Sequence, residues 1–207
     1  MSLKLTYSEI VYLFADKFIS QRARFANLEH HPGGEKFPVK PLGDLMVLAS
    51  VLYLEKNGYI KMTVKDVKRM LIFNGKDVVA ERLREPSEEI TGIEEILLNN
   101  IKDATVLQKA IYNLLTSNDV LPWGHIINIS KQSLVRKGYI SAVQEKKLLG
   151  HVTKYSLVAD KVREVENMVN ELSGELSAFS ADSRYSLINK EVVRGISARV
   201  EHESSDD

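Results

Sequence analysis

Residues 43–60, GDLMVLASVLYLEKNGYI, constrain this chain more than any other stretch. Between Asp44 and Glu55 only Ser50 is polar. A helix that is apolar on nearly every side is buried in a core rather than laid on a surface. At roughly 1.5 Å per residue it is about 20 Å long, enough to cross a small domain and too short for a bilayer. Asp44 is a residue type suited to cap its start. Gly58 suits the left-handed position just past its end, and Tyr59 and Ile60 then open a strand.

The 207 residues suit a single globular domain over 1–200, followed by an acidic tail, 201–207, expected to be disordered. Lysine plus arginine and aspartate plus glutamate both number 28, so the chain lacks the basic excess of a general nucleic-acid binder. It has no cysteine, which removes disulfides, thiolate metal sites and cysteine nucleophiles and fits a cytoplasmic setting. No apolar run approaches the 18 or so residues of a membrane span. The expected fold class is mostly α with small β-hairpins, a helical bundle around the central buried helix.

Ahead of that helix, Thr6 and Glu9 form a T-x-x-E capping box. Tyr7, Ile10, Val11, Phe14 and Phe18 then give one apolar face of a first helix. Residues 20–42 hold three of the five prolines and a Gly33-Gly34 pair, and read as a long loop. The loop carries Arg22, Arg24, Lys36 and Lys40, with Phe25 and Phe37 between them. It is either a basic and aromatic binding loop or a connector whose phenylalanines tuck into the core. After the central helix, Asn74-Gly75 predicts the tip of a hairpin with strands near 59–63, 68–73 and 76–82. A competing reading makes Thr63 to Asp66 the cap of a short helix ending near Leu71.

Further helices are marked by Ile93, Ile96, Leu97 and Ile101, and by Val106, Ala110, Ile111 and Leu114. Pro122 suits the first turn of another that runs to Lys137. His125, Asn128, Gln132 and Arg136 lie on one side of it and Trp123, Ile127 and Leu134 on the other. Leu134 to Ile140, LVRKGYI, echoes Leu54 to Ile60, LEKNGYI: helix, glycine stop, strand. A second hairpin around Gly150 follows, and a helix with a hairpin after it is the order of a winged-helix unit. Val158 to Leu172 reads as one amphipathic helix, and Asp182 as the cap of a last one.

The chain contains no phosphate-binding glycine loop, no H-E-x-x-H and no G-x-S-x-G. The His30-His31 pair lacks further ligands at metal spacing, which leaves exposed loop histidines and no metal site. Glu88-Glu89 and Glu94-Glu95 fall on helix starts, where anions favour the dipole. No nucleophile, base and orienter assemble, so the expectation is a binding protein, not an enzyme, with no cofactor. Lys131, Arg136, Lys137, Lys146 and Lys147 would make one phosphate-binding face if the second hairpin folds back on its helix.

The order of these pieces resembles the Golgi phosphoprotein 3 family. The carrying segments are LTYSEIVYLF, LMVLASVLYLEKNGYIKM, ITGIEEILLNNI and ISKQSLVRKGYI followed by EKKLL, from Leu5 to about Leu172. The resemblance implies a mostly helical fold, a β-hairpin able to mediate homo-oligomerisation, peripheral membrane association and an adaptor role. It also implies binding of an anionic phospholipid headgroup, phosphatidylinositol 4-phosphate in eukaryotic members. That site uses a loop tryptophan before the buried helix and arginines before it and on the L-V-x-K-G helix. This chain has Phe25 and Phe37 in the loop but no tryptophan there, and uncharged Gly124 and Ile127 at the helix positions. The expected ligand contacts are Arg22, Arg24, Lys40 and Arg136. A protein partner is the next expectation, and a winged-helix nucleic-acid binder the alternative.

Overall fold

A computed structural model describes residues 4–19, 27–69, 73–86, 90–115, 121–147 and 150–203. The helices are α1 (Tyr7–Leu13), α2 (Ala15–Phe18), α3 (Val39–Lys56), α4 (Ile93–Asn100), α5 (Leu107–Tyr112), α6 (Pro122–Arg136), α7 (Ala159–Glu164), α8 (Asn167–Ser180) and α9 (Tyr185–Glu203). The strands are β1 (Leu28–His30), β2 (Lys36–Pro38), β3 (Ile60–Arg69), β4 (Phe73–Arg82), β5 (Thr105–Val106), β6 (Ile140–Lys147) and β7 (Gly150–Leu157). β1–β2 and β6–β7 are separate antiparallel pairs, and β3, β4 and β5 form a three-stranded antiparallel sheet in that order.

α3 is the hub. Met46 to Leu54 are all buried, and α1, α4, α6, α8, α9, β2 and β3 all pack against this helix. Its one polar core residue, Ser50, donates its hydroxyl to the Met46 carbonyl at 2.9 Å, so burial leaves no orphan group. The helix starts earlier than the sequence suggests. Pro38 is its cap and Pro41 lies in its first turn, where a missing N–H costs nothing. Asp44 is therefore inside the helix, and its carboxylate accepts from the Trp123 indole N–H at 2.8 Å.

α3 and α6 end in the same way. Gly58 and Gly138 have φ of 69° and 74°. Tyr59 N–H donates to the Leu54 carbonyl and Tyr139 N–H to the Leu134 carbonyl, both at 2.9 Å. Gly58 N–H donates to Glu55 and Gly138 N–H to Val135, which completes a Schellman closure in each case. The LEKNGYI and LVRKGYI echo is thus one structural unit used twice, each followed by a hairpin.

The first hairpin forms, but Asn74-Gly75 is not its tip. Asn74 pairs with Lys68 and Gly75 with Val67 inside the ladder, and residues 70–72, which connect the strands, lie outside the described residues. Register is set at the base, where Ile60, Met62, Val78 and Ala80 are buried and Leu83 N–H donates to the Tyr59 carbonyl. A burial face overrides turn chemistry, because a shift by an odd number of residues would turn these side chains to solvent. The competing helix ending near Leu71 does not form: the described part of that stretch is β3.

Two predicted helices are broken. The first turns at Phe14 between α1 and α2, and the Val158–Leu172 helix breaks at Val165-Glu166 between α7 and α8. α9 extends through Glu203.

Candidate functional site

Among the described residues, polar and charged side chains concentrate around Arg184, which pairs with Glu55 and Asp182, and at three further places. The first is the end of the molecule where α3 and α6 both begin. A Cβ placed on Gly43 would come within 3.4 Å of the Trp123 Cα, so the two helices touch there through a bare backbone. Lys40 projects from the first turn of α3 with its ammonium 4.4 Å from the Trp123 ring centroid and 3.8 Å from the Asp44 carboxylate. Its side chain is 53% exposed. Burial raises the Asp44 carboxyl above its ordinary value, while the Trp123 N–H and Lys40 pull it back. Leu121, which caps α6, and Leu28, paired with Pro38 just ahead of α3, are exposed apolar side chains at these helix starts.

The second place is a buried polar knot where α1 begins and α6 ends. Glu9 and Lys137 form an ion pair at 2.7 Å with side chains 0% and 1% exposed. The second Glu9 oxygen accepts from the Ser133 hydroxyl at 2.6 Å, and the first also accepts from the Thr6 N–H at 2.8 Å, one half of the predicted capping box. Lys137 donates as well to the Lys4 carbonyl at 2.7 Å. Glu94, fully buried at the start of α4, accepts from the N–H and the hydroxyl of Ser8 at 3.0 and 2.8 Å. It caps the start of α1 as well as lying in the first turn of its own helix.

The third place joins the β1–β2 arm to α1, α6 and β7. The Tyr12 hydroxyl donates to Glu29 at 2.8 Å, Lys131 pairs with Glu29, and the Lys131 ammonium lies 5.1 Å from the Tyr155 ring. His31 is buried here rather than exposed. Its Nδ1 accepts from the Gly33 N–H at 3.1 Å, so Nε2 carries the proton and donates to the Tyr12 carbonyl at 2.9 Å. Burial lowers its pKa. His30 is exposed, and among the described residues no cluster of three or more metal-ligating side chains exists.

Among the described residues, the two ligand contacts expected from sequence, Lys40 and Arg136, are not brought together. Arg22 and Arg24 lie outside the described residues, as does Phe25. Phe37 is a core residue. Lys40 and Arg136 are exposed but sit at opposite ends: Arg136 is thirteen positions beyond Trp123, roughly 20 Å along α6. The basic face expected around the second hairpin loses two members, because Lys137 is sealed against Glu9 and Lys131 is held by Glu29; Arg136 stays exposed, and the side chain of Lys147 lies outside the described residues. Lys146 remains exposed on β6. Among the described residues no helix is long and apolar enough to cross a membrane.

Trp123, Asp44 and the polar knot were not singled out as a site. Trp123 reads as an apolar-face residue because its partner Asp44 lies 79 positions away. Comparison with protein-family models, curated proteins and solved structures finds no match to this chain.

Proposed function

We propose that this chain is a non-enzymatic binding protein that docks an anionic, phosphate-bearing surface through the end where α3 and α6 begin. The observation that carries the reading is the exposed Lys40 ammonium over Trp123, at the meeting point of two helix starts. Helix starts present the positive end of the backbone dipole. A lysine beside a tryptophan and exposed leucines can neutralise a phosphate while its apolar neighbours enter a headgroup layer. The segment carrying Arg22 and Arg24 rejoins the described chain at Asn27, whose carbonyl accepts from the first N–H of α3 at 2.9 Å. We assign these two arginines as further phosphate contacts. The finer architecture that goes with the reading is a helical bundle around α3, an adaptor role, and peripheral membrane association.

Sedimentation with vesicles carrying a phosphoinositide tests this. The wild type is expected to pellet at low salt and to be released as salt rises, since the Debye length is only about 8 Å at physiological ionic strength. Lys40→Ala, and the pair Arg22→Ala with Arg24→Ala, are expected to weaken pelleting while remaining folded. Equal pelleting by these variants removes the site. No pelleting of the wild type with any anionic lipid removes the membrane reading and turns the search to a protein partner.

A second reading rests on a different observation. α6 is followed directly by the β6–β7 hairpin, with Asn128, Gln132 and Arg136 exposed on the helix and Lys146, His151 and Lys154 exposed on the hairpin. Gln132 donates to the Tyr155 hydroxyl at 3.2 Å, which ties the two together. A winged-helix protein places such a helix in the major groove. Duplex binding that is lost with Arg136→Ala and unchanged by Lys40→Ala supports this reading over the first.

A further inference from the structure

The knot around α1 contains two buried carboxylates, Glu9 and Glu94, and one buried ammonium, Lys137. We propose that this imbalance makes a proton-binding site inside the fold, with Glu94 the group that carries the proton, and that the proton sets how firmly α4 holds the start of α1.

The geometry separates the roles of the two acids. Lys137 contacts Glu9 directly and spends another donor on the Lys4 carbonyl. Among the described residues Glu94 is met by neutral donors, the Ser8 N–H, the Ser8 hydroxyl and its own backbone N–H. If both acids are ionised, the knot buries one uncompensated negative charge, and isolated buried charges tend to be discharged by taking up a proton. The ammonium touches Glu9, and the acid without a cation in contact is Glu94.

The protonated form fits the same contacts. Oε1 can go on accepting from the Ser8 N–H. A proton on Oε2 would be donated to the Ser8 hydroxyl, which lies 2.8 Å away. Ser8 can then turn its own hydrogen to Thr6, 3.4 Å away, while the Ser130 hydroxyl goes on donating to it. Hydroxyls both donate and accept, so no partner is orphaned in either state. The charged and titratable groups facing the knot are Glu9 on α1, Glu94 on α4 and Lys137 after α6. Tyr139 adds a ring that Glu9 acts on, and Lys161 donates to the Lys137 carbonyl at 3.1 Å. Ser133, Thr91 and Ser130 contribute only hydroxyls.

Burial and then the Glu9 charge push the Glu94 carboxyl up to about 7, against the opposing pull of Ser8. A folded value above the unfolded one means that folding takes up a proton. The associated stability is fully present below the ordinary carboxyl value of 4.5 and is lost as pH rises through 7.

Two measurements on the full chain test the proposal. In the first, carboxyl carbon-13 shifts of glutamate-labelled wild type are followed with pH. One carboxyl is expected to titrate near neutrality, and to be missing in Glu94→Gln. In the second, urea unfolding of wild type and Glu94→Gln is compared between about pH 5 and pH 8. Glutamine mimics the protonated acid, so the ratio of the two unfolding constants is expected to change by up to about tenfold per pH unit, in favour of the variant as pH rises, and to level off above about pH 7.5. A wild type whose glutamate carboxyls all titrate in the ordinary acid range overturns the proposal, and this readout does not depend on whether the variant folds. So does a pH-independent ratio from a folded variant.

Discussion

Lys137 shows how much a single buried charge can govern. Its ammonium pairs with Glu9, whose side chain is fully buried, and also ties down the Lys4 carbonyl. Lys137→Met is expected to destabilise the protein by about 3–5 kcal/mol, because it leaves Glu9 buried without its cation. Pairing it with Glu9→Gln is expected to recover part of that loss; urea unfolding of both variants checks it. His31 gives a pH dependence of opposite sign to Glu94. Its folded pKa is lowered by burial, so the stability it contributes is present above its ordinary value of 6.5 and is lost as pH falls below that. Against a His31→Gln variant, the wild type is expected to lose ground between about pH 7 and pH 5.5, and a constant difference would refute the neutral, buried assignment. At this scale the sequence is readable where the partner is near. The Thr6–Glu9 capping box spans three residues and forms. The Glu9–Lys137 and Ser8–Glu94 contacts span 128 and 86, and no local pattern marks them.

The helix–glycine–hairpin unit is the clearest element. In both copies the glycine has a positive φ, and at Gly58 the nearest atom to an added Cβ is 3.6 Å away, on the Arg84 side chain. Gly58→Ala therefore meets no hard contact and is expected to cost only the left-handed backbone penalty, about 1–2 kcal/mol. Gly75 is the useful contrast. It pairs with Val67 within the β3–β4 ladder. Gly75→Thr is expected to be neutral or slightly stabilising in a thermal melt, whereas a turn glycine would lose stability by the same change. Asn74-Gly75 points to a hairpin in this stretch, but not to its register. Asn-Gly is a local signal, and the buried pair Met62–Ala80, with buried Ile60 and Val78 beside it at the base, outweighs it. Helix starts were less legible than stops, since Pro38 and Pro41 read as loop punctuation and in fact open α3.

The whole molecule is arranged with α3 and α6 side by side and α1 running the opposite way across them. Glu9 near the start of α1 meets Lys137 past the end of α6, and Tyr7 packs edge-on to Tyr53 near the end of α3, ring centres 5.2 Å apart. One end of this arrangement is therefore closed by the buried knot, and the other carries Lys40, Trp123 and exposed leucines at the helix starts. The burial of residues 46–54 follows from their apolarity; the pairing of Lys40 with Trp123 does not, because it depends on how two distant helices are aligned. The proposed docking surface can be interrogated directly, since Trp123 is the chain's only tryptophan and lies within it. Its emission should be followed while vesicles carrying a phosphoinositide are added at low salt. A change in emission that reverses as salt is raised and is lost in Lys40→Ala is expected. Vesicle binding with Trp123 emission unchanged would contradict it.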